Sequence, residues 1–211
     1  RIAVGEHILL GGDNMDGALA RRAEARMVAG GRALSAAQWS QLVQAGRLAK
    51  EALLREGGPA RYHLSLAGEG SRLVGGTLSA ELVRGEAEEI ILEGFLPRCG
   101  VAEAAPLGPR AGLQELGLPY AQDPAITRQV AAFLRAHARA GFAALGRPAG
   151  PPGVPRPDAI LLNGGVFNSE RLAARLVEVV SSWWPDAPPI PRLPHESLDR
   201  AVARGAAYSG L

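Results

Sequence analysis

The sequence predicts an α/β fold, and three observations carry that prediction. Two long N-terminal stretches open on helix-capping residues and close on glycine pairs. Tyr62, Leu64 and Leu66 then alternate with polar or small residues, the period-two pattern of a half-buried strand. Near the C-terminal end a short apolar run, 159–162, meets Asn163-Gly164-Gly165 and a helical pattern, the layout of a strand–turn–helix unit.

Taken in order, Asp13 can cap a first helix reaching about Met27, with Gly30-Gly31 as its stop. Ser35 and Gln38 stand at capping-box spacing, so a second helix is expected from there to about Leu54, before Gly57-Gly58-Pro59. After the strand at Tyr62–Leu66, residues 68–70 offer a turn into a second strand around Leu73-Val74. Thr77 or Ser79 can cap a third helix carrying Leu82, Ile90, Ile91 and Phe95 and ending near Pro97. Residues 99–122 are rich in glycine and proline and show little regular pattern. Asp123-Pro124 reads as a cap followed by proline at the first helical position, with Ile126, Val130, Phe133, Leu134 and His137 at helical spacing. Residues 147–157 read as a surface linker. In the last unit, a helix over 168–183 places Leu172, Leu176, Val179, Val180 and Trp183 on one stripe. A short strand near Ile190 and a small-residue helix from about Leu198 to Ser209 follow. No internal repeat is visible.

Composition narrows the function classes. Apolar residues make up 47% and charged residues 21%, an ordinary globular balance, and no apolar run approaches the length that spans a bilayer. The arginines are scattered among acids rather than gathered on one stretch, which argues against nucleic acid as a partner. Cys99 is the single cysteine, so an internal disulfide is excluded, and a reducing, cytoplasmic setting is expected. No secretory signal pattern is present; the chain starts at Arg1 rather than Met and reads as an internal fragment. His7, His63, His137 and His195 lack metal-ligand spacing. The run from Asp13 to Gly17 lacks the alternating acids and distal glutamate of a calcium loop. Cys99 is expected as a buried or half-buried thiol, and Trp183-Trp184 as packing residues.

Two features remain as candidates for chemistry. Of 23 basic residues only Lys50 is lysine, either because a compact, flexible ammonium is wanted there or because it sits by chance on a solvated helix face. The turn Asn163-Gly164-Gly165 is the other. Glycines without Cβ admit a ligand close to the backbone, and a helix N-terminus behind them adds free N–H groups. Such a turn is also a common structural device, and it is neither a Walker loop nor a dinucleotide fingerprint.

The company of the Gly-Gly turn adds a resemblance. Asp199-Arg200-Ala201-Val202-Ala203-Arg204-Gly205-Ala206-Ala207 resembles the Asp-x-Ala-Val-Ala-x-Gly-Ala-Ala helix that closes the nucleotide domain of heat shock protein 70 (DnaK-like) chaperones. Leu9-Leu10-Gly11-Gly12-Asp13-Asn14-Met15-Asp16 is similar to the family's Leu-Gly-Gly-x-x-Phe-Asp segment, and residues 44–53 to its long helix with an Ala-Lys pair. The three segments occur in family order, and only residues 100–157 lack a counterpart. The resemblance implies lobe II of an actin-like ATPase (ribonuclease H-like) fold. Residues 1–99 would be its outer subdomain and 100–211 its inner one, with an inserted helical segment near 101–157. It implies a piece of an ATP-driven chaperone that binds ATP or ADP, with Mg in the parent protein. Its partners there would be lobe I, a substrate-binding region and a cochaperone or exchange factor. Residue by residue, Lys50 matches a lysine lying along the adenosine. Gly164 and Gly165 match glycines beside the sugar and base, and Asp199 matches an acid near the base pocket, with helix capping as its alternative role.

Departures from the family pattern fall at the same place. Arg47 stands where a glutamate precedes the lysine and Glu51 where a basic residue follows it, so the charges have exchanged places and an ion pair at helical spacing is expected. Val166 replaces a small hydroxyl residue, and Asn168 stands where an arginine often stacks on adenine, removing a cation–π partner. The family's phosphate loops, catalytic acid and phosphate-contacting lysine have no match in this sequence, so the chain alone is expected not to hydrolyse ATP. Two other readings stay open: a lobe of a sugar or small-molecule kinase of the same superfamily, and a non-hydrolysing nucleotide-sensing or interaction module.

Overall fold

The computed structural model describes residues 2–5, 8–28, 33–68, 76–103, 105, 114–115, 118–119 and 123–209. The fold is mixed, with helices predominating and strands in antiparallel pairs. The chain forms two compact units, Gly11–Glu93 and a second made of Arg1–Leu10 with Gly94–Leu211.

In the unit Gly11–Glu93, helix α1 (Gly12–Met27) packs against α2 (Ala36–Leu54), and both lie on a hairpin of β1 (Arg61–Leu66) and β2 (Leu78–Val83). Ser35 starts α2 as expected: its hydroxyl accepts from the Gln38 N–H while the Gln38 side chain accepts from the Ser35 N–H. The two helices approach closely because α2 carries Gly46 at the contact; a Cβ there would stand 2.8 Å from the Asp16 carbonyl oxygen. Met15, Leu19, Leu42, Leu53, Leu64 and Leu82 fill the core without solvent exposure beyond 2%. Helix α3 (Arg84–Phe95) follows β2 directly. Its first turn is tied to α1 by Glu86, which pairs with both Arg22 and Arg26.

The hairpin corrects one sequence expectation. Residues 78–83 form β2, and α3 begins only at Arg84, so Leu82 packs from a strand rather than from a helix. Leu78, Ala80 and Leu82 do alternate, but two hydroxyl residues, Thr77 and Ser79, mimic helix caps. Pairing with β1, in which Leu64 faces Ala80, settles the strand. The expected strand at Leu73-Val74 lies outside the described residues.

In the second unit, Gln114–Glu115 (β3) and Leu118–Pro119 (β4) pair antiparallel. Helices α4 (Ile126–Ala136) and α5 (Ala138–Leu145) meet at His137, and α5 ends at Gly146 in the left-handed conformation. Helix α4 starts two residues later than proline would place it, with Ala125 as cap. Asp123 instead accepts from the Ala125 N–H at 2.9 Å and pairs with Arg128 at 2.6 Å. Thr127, fully buried, donates to the Pro97 carbonyl. Helix α6 (Glu170–Ser181) buries Leu172, Leu176, Val179 and Val180, and Trp183 beyond it donates its indole N–H to the Cys99 carbonyl at 2.7 Å. Cys99 is itself buried.

Two expectations near the C-terminal end are corrected. The run 159–162 makes no extended strand. Ile160 forms one parallel bridge to Arg192, with its N–H donating to Pro191 and its carbonyl accepting from Leu193. A strand needs a ladder of partners, and among the described residues this one bridge is all that forms there. The last helix, α7, spans Ala201–Ser209 rather than beginning at Leu198, and none of its residues is buried. Val202 and Tyr208 on it are 73% and 72% exposed. Leu198, just before it, is the buried anchor.

Candidate functional site

The residues singled out from sequence fall into two constellations, one in each unit. The first is built on α1 and α2. Because Gly46 brings the helices together at Asp16, the residue one turn further along α2, Lys50, faces the same stretch of α1. Its ammonium stands 2.6 Å from Asp16 Oδ1 and donates to the Gly12 carbonyl at 3.2 Å. Both side chains are enclosed, Lys50 at 11% and Asp16 at 4% exposure. Burial pushes the Asp16 carboxyl above its ordinary pKa, and the Lys50 ammonium pulls it back only in part. Lys50 is thus no solvated surface lysine. The side chain is largely enclosed, with one hydrogen bond and one ion pair made to α1.

Arg47, one turn before Lys50 on its N-terminal side, is exposed and pairs with Glu51 at 3.0 Å, the i,i+4 ion pair expected from the exchanged charges. Hydrogen bonding to Glu51 raises the guanidinium pKa further above its already high value. Arg47 therefore points its charge along α2 rather than at Asp16.

The second constellation is the Gly-Gly turn. Gly164 adopts φ +94° with ψ 148°, a conformation open in practice only to glycine. A single turn of 3₁₀ helix, Gly165–Asn168, follows, closed by the Phe167 N–H on the Gly164 carbonyl. Asn168 then donates its amide to both oxygens of Asp199, each at 3.1 Å. Asp199 also lies over Gly165: a Cβ on that residue would stand 2.8 Å from Asp199 Oδ1. Gly165, Asn168 and Asp199 are exposed, and Gly164 and Val166 half-buried. The structure thus gathers Gly164, Gly165, Val166, Asn168 and Asp199 into one exposed patch, with Lys50 and Arg47 in the other unit.

Chemically, the patch offers open backbone at Gly164 beside a carboxylate and an amide carbonyl, groups suited to hydroxyls and amines. Lys50 offers a fixed ammonium donor. Asp16 is the residue that sequence reasoning passed over. It belongs to the Gly-Gly-x-x-x-Asp segment already quoted, but its pairing with Lys50 spans 34 positions and emerges only when the helices pack. Among the described residues no group of three or more His, Cys, Asp or Glu side chains could hold a metal ion. No helix among them is long and apolar enough to cross a membrane. No protein-family model matches the chain, and no curated protein matches it in sequence.

Proposed function

We propose that this chain is part of an ATP-binding chaperone of the heat shock protein 70 type, a lobe II portion of an actin-like ATPase fold that contributes the adenosine side of a nucleotide pocket. The observation that carries this reading is the Gly164–Gly165 turn. A glycine-only backbone conformation leads into an exposed patch where Asn168 and Asp199 stand together. A ribose hydroxyl or a base amine meets acceptors there; no Cβ of Gly164 blocks the approach, while the space beside Gly165 is taken by the Asp199 carboxylate itself. Lys50, held as a donor on α2, is the second group the resemblance assigns to adenosine. ATP or ADP is the ligand. Mg and the phosphate-contacting groups would come from sequence other than this, since no residue here matches them, so no phosphoryl-transfer step is assigned to this chain. Lobe I, a substrate-binding region and a cochaperone or exchange factor are the partners this role implies, in the cytoplasm.

A second reading has a specific observation behind it. Asn168 replaces the stacking arginine and turns its amide onto Asp199, while Arg47 is taken up by Glu51. Weak adenosine contact of that kind suits a non-hydrolysing module that senses nucleotide. Gly165→Val tests both readings. It should lower ATP and ADP affinity in calorimetry while circular dichroism stays unchanged; a folded variant with normal affinity removes the turn from the site.

A further inference from the structure

We infer that Asp16 is a positioning residue for nucleotide binding, acting through Lys50: its carboxylate, set into the α1–α2 contact, fixes where the Lys50 ammonium is presented. The inference rests on the nucleotide reading above and deepens it.

Three observations combine. Gly46 lets α1 and α2 close on each other at Asp16, which brings Lys50, one turn along α2, within reach of the Asp16 side chain. The Lys50 ammonium lies at ion-pair distance from Asp16 Oδ1, 2.6 Å, and donates to the Gly12 carbonyl at 3.2 Å, both on α1. Lys50 retains a small exposed fraction, 11%, against 4% for Asp16, so the lysine is the less enclosed member of the pair. Lysine is among the side chains with most rotamer freedom to lose when a ligand immobilises it. Holding it beforehand removes that loss from the binding step, the general benefit of preorganisation. Asp13 and Arg47 are the other charges that act on Asp16, one of each sign. Arg47 is already paired with Glu51, which leaves Lys50 as the cation within ion-pair distance of the carboxylate.

The test is a double-mutant cycle on ADP affinity in the full-length protein, with wild type, Asp16→Asn, Lys50→Ala and the double variant titrated by calorimetry. Each single variant should bind about tenfold more weakly, the loss of one charged hydrogen bond. The double variant should bind no more weakly than Lys50→Ala, because Asp16 acts only through the lysine. Wild-type affinity in Asp16→Asn, or additive losses in the double variant, would overturn the positioning role. The two hypotheses separate cleanly. If Lys50→Ala itself binds ADP normally, the nucleotide reading fails. If Lys50→Ala weakens binding and Asp16→Asn does not, only the positioning role fails. Should Asp16→Asn unfold, Asp16→Glu carries the test, since it keeps the charge but displaces it by one methylene. Several-fold weaker binding at an unchanged melting temperature supports positioning, and wild-type affinity contradicts it.

Discussion

The amide of Asn168 donates to both carboxylate oxygens of Asp199 at 3.1 Å, joining the end of the Gly-Gly turn to the segment that leads into α7. Both residues are exposed, so the pair adds little to stability. Its consequence is for recognition: the side chain that follows the turn is drawn to the carboxylate and presents no cation to an aromatic ring.

On the proposed nucleotide reading, placing a cation there should strengthen binding. Asn168→Arg keeps a donor for Asp199 and adds a guanidinium plane able to stack on adenine. ADP affinity should rise by about 0.5–1 kcal/mol, the range of an exposed cation–π contact. Equilibrium titration of the variant against wild type measures this; unchanged affinity would place adenine elsewhere.

The two glycines of the turn should behave differently. Gly164→Ala forces a Cβ into the +94° backbone and should destabilise by about 1–3 kcal/mol. Gly165→Ala meets only the end of the exposed Asp199 side chain, which can swing aside, so its melting temperature should stay near wild type. Thermal denaturation of the two variants side by side checks the contrast.

The clearest agreement between sequence and structure lies where interactions are local. The Ser35–Gln38 capping box, the Arg47–Glu51 pair and the apolar stripe of α6 each form within a few residues of chain, and each is present. The mixed helix-and-strand class followed from such patterns. Where partners are distant, sequence is ambiguous. Leu78–Val83 has the alternation of a strand and the hydroxyls of a helix start, and only its register with β1 decides. The apolar run 159–162 looks like a strand, yet a single bridge at Ile160 is what it forms. At the site, the glycine turn was legible because only glycine takes that backbone, whereas the link from Asn168 to Asp199 joins residues 31 apart. The Lys50–Asp16 pair was hidden for the same reason, although Gly46, four residues before Lys50, marks where the helices touch.

Acid should weaken the second unit through Asp123. Hydrogen bonding to Arg128 holds the Asp123 carboxyl below its ordinary pKa, with the Ala125 N–H adding to the effect. A carboxyl depressed in the folded state contributes stability above its unfolded value, about 3.9 for aspartate. That contribution is lost as pH falls through the folded value. Asp123→Asn should therefore lower the melting temperature at neutral pH and show a flatter decline on acidification below pH ~4. Parallel acid curves for the two proteins would show that Asp123 is not responsible.

The proposed adenosine contact of Lys50 can be tested on its own: the side chain is largely enclosed, held against α1, and unique among the basic residues in being lysine. Calorimetric titration of the full-length protein with ADP, wild type against Lys50→Ala, tests it most directly. Saturable binding weakened by about 1–2 kcal/mol in the variant is the predicted result, as for one charged hydrogen bond. Equal affinity in the two proteins, or no binding by the wild type, would contradict the account.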